Sequence, residues 1–386
     1  VAASGFGIYI HVPFCRKAKC PYCDFYSVQA EPGLVSEYLK AAELELESAG
    51  AGPFGSLSVV ETIYFGGGTP SLLAPQDVGR LISKVDSLWT VAREAEISLE
   101  CNPEDLDFER AVTYRQAGVT RMSVGCQSFD RLTLRSLGRS HSADQSRKAV
   151  QFARKAGFES VSADLIFGGP GSSEVSVAGS IETALGLGAD HLSIYGYHCD
   201  QGSRGFGRKK YEPLGEDLYC SQYLAACSLL ESCGWLHYEI SSWAGGSQRL
   251  CRHNLAYWRR GTAYLGCGPA AHSFWPPDVR IWNREDLEIY LKAPGLPGEP
   301  LRLKEELSPD EILAEEVMLG LRLAEGIEPE LVERFLGVQT GETIQALSRE
   351  GLLHSTLAGR LALSDKGFLL YDSIVELLSS PPGVSA

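Results

Sequence analysis

The chain has 386 residues, 44% of them apolar and 22% charged, a composition that suits a globular protein with a sizeable core. Its 35 Lys and Arg face 49 Asp and Glu, a net charge of −14 that argues against non-specific binding to nucleic acid or acidic lipid. No apolar run reaches membrane-spanning length and no secretory apolar segment opens the chain, so a cytoplasmic protein is expected, with contact at a membrane surface still compatible.

Six short segments rich in β-branched or aromatic residues read as buried strands. They are "GIYIHVPF" (7–14), "ETIYFGGG" (61–68), "EISLECNP" (96–103), "RMSVGCQS" (121–128), "VSADLIFG" (161–168) and "HLSIYGYH" (191–198). Helical patterns separate them, for example "SEYLKAAELELESAG" and "SADQSRKAVQFARKAG". This alternation predicts an α/β fold with parallel strands, a partial barrel of six βα units over residues 1–205. In such a barrel chemistry gathers at the C-terminal strand ends. The unusual residues stand at those ends: three cysteines after the first strand, "GGGTPS" after the second, then "ECNPE", "GCQSFD", "DLIFGGPG" and "YGYHCDQGS".

Residues 206–293 read as an extension of the barrel, with the helix "GEDLYCSQYLAACSLLESCG" and a stretch rich in His, Trp, Tyr and Gly. Residues 294–308 are Pro-, Gly- and charge-rich and read as a linker. Residues 309–386 predict three short helices, a hairpin ("LLHSTLAGRLALSD") and a last helix, a winged-helix-like α+β domain. Such domains often bind DNA. Here residues 305–386 carry a net charge of −10, so a lid or docking role is expected instead.

Eleven cysteines without a secretory signal point to a reducing compartment. Three of them, Cys15, Cys20 and Cys23, fall within nine residues of "HVPFCRKAKCPYCDFYS". A structural zinc site normally wants four ligands, often as two pairs, and no second C-x2-C follows. A redox C-x-x-C would open a helix of a thioredoxin-like fold, which the six-strand pattern does not match. A 4Fe–4S cluster on three thiolates fits the count and leaves one iron open to a ligand.

These cysteines on the loop after the first strand resemble the radical S-adenosylmethionine (SAM) superfamily. "YIHVPFC…CPYCDFYS" with "YFGGGTPSLL" is more specific. It resembles the radical SAM haem chaperones (HemW-like), within the coproporphyrinogen III dehydrogenase-like (HemN-like) branch. The similarity runs from Tyr9 to the last helix. The family spacing is C-x3-C-x2-C, whereas this chain has C-x4-C-x2-C. The dehydrogenases resemble C-x3-C-x2-C-x-C; their further cysteine position is Phe25 here, as in the chaperones.

The resemblance implies that Cys15, Cys20 and Cys23 hold a 4Fe–4S cluster whose open iron binds SAM, with reductive cleavage giving a 5′-deoxyadenosyl radical. Gly66, Gly67 and Gly68 suit close backbone approach to a ligand, and Thr69 adds a hydroxyl. Tyr9 and Tyr22 are expected against SAM and its adenine. Glu100, Gln127, Arg139 and Asp164 are the implied polar contacts to its ribose and carboxylate. An Arg139–Asp164 ion pair closing the barrel is the structural alternative.

A second group comprises "HYEIS" (237–241), "RHNLAYW" (252–258) and "GCGPAAHS" (266–273). "HNLAYW" matches the H-N-x-x-Y-W pattern of the haem chaperones. His is a common axial haem ligand, and His253, with Tyr257 and Trp258 as flat faces, is the expected haem site. Five of eight histidines (191, 198, 237, 253, 272) lie at the sixth strand or in this region. The plainer reading makes each a buried, hydrogen-bonded core residue. Two functions follow. One is a carrier that delivers haem to an acceptor haemoprotein, served by an electron donor such as a flavodoxin or ferredoxin. The other is an oxygen-independent coproporphyrinogen III dehydrogenase. A radical SAM methyltransferase is a weaker third. Phe25 and "HNLAYW" favour the carrier.

Overall fold

The structure, a computed structural model, describes residues 5–17, 19–20, 22–31, 33–198, 214–292, 302–337 and 340–379. Six parallel strands lie side by side in chain order: β1 (Phe6–Val12), β2 (Val59–Gly67), β3 (Thr90–Cys101), β4 (Arg121–Gln127), β5 (Ser160–Phe167) and β6 (His191–Gly196). Between them run α1 (Leu34–Ala51), α2 (Pro75–Leu88), α3 (Phe108–Gln116), α4 (Ala143–Lys155) and α5 (Glu174–Gly186). The strands are buried almost throughout because helices cover them. A capping box at Ser142 and Gln145 starts α4 where "SADQ" signals it. The expected α/β partial barrel is therefore present. β3 begins at Thr90, before the "EISLECNP" segment, because Thr90 and Val91 already pair with Val59 and Val60 of β2; this first half ("TVAREA") then breaks register and carries exposed polar residues.

The sheet does not stop at six strands. After α6 (Glu216–Ser232), the short strands β7 (Leu236–Glu239) and β8 (Ser242–Ala244) form a hairpin, and β8 runs antiparallel to β6. Helix α7 (Arg252–Trp258) follows. On the opposite edge, β9 (Tyr264–Cys267) pairs parallel to β1. The strands β10 (His272–Trp275), β11 (Val279–Asn283) and β12 (Arg302–Glu306) continue it as an antiparallel meander to twelve strands. Arg302–Glu306 thus forms a strand inside the stretch read as a linker; residues 293–301 lie outside the described residues, as does 199–203 of "YGYHCDQGS". Strands of three to five residues leave too little periodicity to be read from sequence.

The last part has α8 (Pro309–Leu321), α9 (Pro329–Leu336), α10 (Thr340–Arg349), the hairpin β13 (Leu353–Ser355) and β14 (Leu361–Leu363), then α11 (Asp365–Leu369) and α12 (Tyr371–Ser379). The expected final helix is two helices, broken at Leu370. Val317, Leu321, Ile327 and Phe368 join the same buried cluster as the barrel strands. Backbone bonds add to this apolar contact: Ile240 N–H donates to Arg322 O at 3.0 Å and Ala324 N–H to Tyr238 O at 3.1 Å. Among the described residues no helix is long and apolar enough to cross a membrane.

One buried charge fastens the meander to the barrel. Glu45 of α1 is fully buried and accepts from Gly268 N–H (2.8 Å), Asn283 Nδ2 (2.7 Å), Tyr290 Oη (2.8 Å) and Arg302 Nη2 (2.9 Å). Removing one partner of a buried network leaves the others desolvated and unpaired. Glu45→Ala is expected to destabilise the chain by about 3 kcal/mol, read from urea unfolding midpoints.

Candidate functional site

The loop after β1 carries the three cysteines, all free and half-buried. Its ends are tied to the strand that leads into it: Val28 N–H bonds Pro13 O at 2.7 Å and Ala30 N–H bonds Cys15 O at 2.9 Å. Cys23 N–H closes a turn onto Cys20 O at 3.1 Å. Arg16 reaches across to the buried Asp105, Nε to Oδ1 at 2.7 Å, and Asp105 also accepts from Ser71 Oγ at 2.9 Å. Of the extra residues between Cys15 and Cys20, Ala18 lies outside the described residues.

Polar hydrogens are directed at the thiols. Thr69 Oγ1 lies 3.6 Å from Cys15 Sγ, and Arg139 Nη1 lies 3.6 Å from Cys20 Sγ. Arg139 also donates to Tyr22 Oη (3.3 Å), Asn102 Oδ1 (2.7 Å) and Gly125 O (3.4 Å). Asn102 Nδ2 completes a ring by donating to Thr69 Oγ1 at 3.4 Å. So Tyr22, Thr69 and Arg139 converge on the cysteine loop. Arg139 does not pair with Asp164: Asp164 instead accepts from Ser123 (2.9 Å) and Ser162 (3.1 Å).

The Gly-rich turn sits at the end of β2, where side chains would collide. A Cβ at Gly66 would lie 2.8 Å from the Tyr9 ring, and one at Gly68 would lie 2.7 Å from Phe14 O. Gly67 has φ +108° and would drive a Cβ to 2.6 Å from the His11 ring. Gln127, at the end of β4, holds φ +62°, a conformation that costs a non-glycine residue roughly 1 kcal/mol.

Below this turn the barrel interior is polar. Glu100 is partly buried and accepts from Tyr64 Oη at 2.9 Å. Burial first, and the nearby Asp164 carboxylate second, push the Glu100 pKa up to about 7. Burial raises that of Asp164 too. Tyr9 bonds His11 Nδ1 at 3.1 Å and stacks against Tyr64 at 6.2 Å.

The residues present fit an iron–sulfur cluster and a zwitterionic ligand. Of three free thiols, Cys15 faces a donor from Thr69 and Cys20 one from Arg139; Arg139 Nε is buried without a partner, and the glycine turn leaves no room for side chains. Sequence reasoning missed Asn102, Tyr64 and His11. Asn102 carried a signal, a polar residue directly after a strand in "ECNPE".

The histidines do not gather into one site. His191 bonds Ser162 and Tyr238, His237 bonds Asp365, and His272 stacks on Trp282. His253 of α7 is buried, with Nδ1 2.8 Å from Thr62 Oγ1 and Nε2 2.8 Å from Tyr257 Oη. Burial lowers its pKa to about 3, so the ring is neutral. Both ring nitrogens are engaged, so neither is free for a metal in this conformation. His253 stacks on Tyr64 at 5.0 Å, which places α7 directly behind the Gly-rich turn. Trp258 lies under the Arg322 guanidinium at 4.3 Å and lines a cleft of about 520 Å³ with Leu323, Ile327, Leu331 and Arg334.

A parallel partial barrel with three thiols and a glycine turn at the C-terminal strand ends defines a radical SAM protein. The radical SAM superfamily profile matches residues 9–184, and the HemN C-terminal domain profile matches residues 307–370. The heme chaperone HemW of Mycobacterium tuberculosis is 36% identical over 97% of this chain and 94% of its own. That of Bacillus subtilis is 32% identical over 95% and 97%. The coproporphyrinogen III oxidase HemN of Escherichia coli shares the fold, with a TM-score of 0.78 and 21% identity over 98% of this chain and 92% of its own. The chain belongs to the HemW family of radical SAM proteins.

Two outcomes follow from this geometry. Arg139→Met frees the cysteine loop from β3 and β4. Losing about 1.4 kcal/mol of hydrogen bonding should accelerate tryptic cleavage after the exposed Lys17 and Lys19 about tenfold. The second concerns pH. With a folded pKa near 7 against an ordinary 4.5, Glu100 keeps its proton longer when folded. The Glu100 contribution to the stability of the apoprotein should therefore fall as pH rises from about 4.5 to 7, by roughly 3 kcal/mol, and then level. It is read as the difference between wild type and Glu100→Gln in denaturant unfolding at about pH 5 and pH 8, where the wild type should lose ground to the variant over that interval.

Proposed function

We propose that this chain is a haem chaperone: it binds haem as cargo on the α7 side and passes it to an acceptor haemoprotein. One observation carries the reading. The helix with the "HNLAYW" segment packs its His253 onto Tyr64, whose hydroxyl holds Glu100, so the two functional regions share a wall. The relatives over nearly the full length are named haem chaperones.

In this proposal Cys15, Cys20 and Cys23 hold a 4Fe–4S cluster. Gly67, Gly68, Thr69, Glu100, Gln127, Arg139 and Asp164 take SAM, with Tyr9 and Tyr22 flanking it. When bound, the pair supplies one-electron chemistry, with a flavodoxin or ferredoxin as electron donor. Arg139 and Thr69 direct polar hydrogens at the thiolates. Glu100, which takes up a proton near pH 7, sets the charge at the floor of the chamber.

His253 becomes the haem ligand when Tyr257 releases Nε2, and Trp258 offers its indole face along the cleft. The fold shared with coproporphyrinogen III oxidase supports the decarboxylating alternative by architecture alone.

The test is an anaerobic haemin titration of cluster-reconstituted protein, followed in the Soret band. Near-stoichiometric binding is expected, lost in His253→Ala. Tyr257→Phe should bind about fivefold more tightly, because a hydrogen bond of about 1 kcal/mol no longer competes for Nε2. Absence of binding by the wild type, together with protoporphyrinogen formation from coproporphyrinogen, would turn the assignment to the enzyme.

A further inference from the structure

Away from the barrel mouth, three metal-ligating side chains from three separate elements converge. Cys227 comes from α6, His237 from β7 and Asp365 from the first turn of α11. One ligand atom of each lies within 4.8 Å of the other two. His237 Nδ1 stands 2.9 Å from Asp365 Oδ1. The walls are aromatic: Trp243 stacks on the His237 ring at 4.1 Å and 14°, and Phe368 meets its edge at 5.1 Å. Tyr223 packs at the same ring, 6.4 Å away.

Two features go beyond a simple ion pair. His237 Nε2 is buried without a hydrogen-bond partner, which is a cost a hydrogen-bonded pair alone would not select. Cys227 is buried against an acidic side chain, a poor place for a thiol that must ionise unaided. A cation reverses that electrostatic disadvantage, since it stabilises thiolate and carboxylate together.

We propose that Cys227, His237 and Asp365 form a divalent metal site, of zinc-type chemistry, that clamps the C-terminal domain onto the barrel. Thiolate, imidazole and carboxylate are together the donor set of a borderline-soft ion such as Zn²⁺. Three protein ligands leave a fourth tetrahedral position for water, which enters from the Asp365 side, where that side chain is 43% exposed. Cys227 is buried, and His237 is 15% exposed, so the ion is shielded on its other faces. Binding releases the Cys227 proton to solvent, and no redox step is involved. The ion joins the barrel extension, through α6 and β7, to the helix that follows the hairpin of the last domain. The site uses no cysteine of the Cys15–Cys23 loop and does not depend on the haem reading.

The experiment loads the full chain with its iron–sulfur cluster, removes loose metal, adds Zn²⁺ alone and measures zinc per chain after gel filtration. Roughly one equivalent is expected. It should persist when Cys15, Cys20 and Cys23 are all changed to Ala, and it should vanish in Cys227→Ser and His237→Gln. Asp365→Asn, at a partly exposed position that tolerates change, should weaken binding by at least the roughly 10- to 100-fold that loss of an outer partner costs. With Co²⁺ in place of Zn²⁺, a thiolate-to-cobalt charge-transfer band should appear in the wild type and not in Cys227→Ser. Zinc that is absent from the wild type, or that is retained equally by Cys227→Ser and Asp365→Asn, overturns the proposal and leaves the three residues as a hydrogen-bonded clamp.

Discussion

The mouth of this barrel depends on one guanidinium. Arg139 lies beyond the short helix (Arg131–Ser136) that follows β4, and bonds the cysteine loop at Cys20 and Tyr22, the end of β3 at Asn102 and β4 at Gly125. A planar group with five donors can serve partners in several directions, which a lysine ammonium cannot do in a fixed plane. The loop has little regular structure beyond a two-residue bridge between Phe14–Cys15 and Val28–Gln29. Its cysteines therefore take their places largely through side-chain bonds from the barrel. That arrangement explains why Asn102 matters although it touches no thiol: it holds Arg139 on one side and Thr69 on the other.

A second constraint is the polar interior. Parallel barrels are usually filled with branched apolar side chains. Here the inner layer holds the buried Ser98, Ser123 and Ser162 and the partly buried Glu100 and Asp164. Two nearby carboxyls cannot both ionise cheaply, and burial raises both pKa values. The hydroxyls of Tyr64, Ser123 and Ser162 offset part of that cost. An interior of this kind is a poor choice for stability alone and a good one for holding a small charged molecule, so the strain makes sense as a property of a site.

The sequence displayed the barrel because six long buried strands and their helices have strong periods, and it displayed the cysteine loop because three thiols in nine residues are rare. It did not display the six flanking strands, of which β8 has only three residues, too few for a pattern. The partners of Glu45 were equally hidden: Gly268, Asn283, Tyr290 and Arg302 lie more than 220 residues away and meet it only through the meander. Counting histidines misled, since His191, His237, His253 and His272 point into separate environments. His237 in particular faces Asp365 of the last domain, a contact set by how β7 packs on α11 and invisible to local pattern.

The packing behind the glycine turn joins the cysteine-loop chamber to the α7 side of the barrel. Tyr64 touches both regions: its hydroxyl bonds Glu100 and its ring covers His253. Tyr9 lies against both rings, at 6.2 Å from Tyr64 and 6.3 Å from His253. Protein interiors are close-packed, so a stacked ring cannot turn without its neighbour giving way. In the proposed haem reading His253 would present Nε2 once Tyr257 releases it, and any shift of the His253 ring itself would press on Tyr64. Tyr64 in turn donates to Glu100, a bond that favours the ionised carboxylate. Through Tyr64, the α7 side and the floor of the chamber under the cysteine loop are therefore in direct contact.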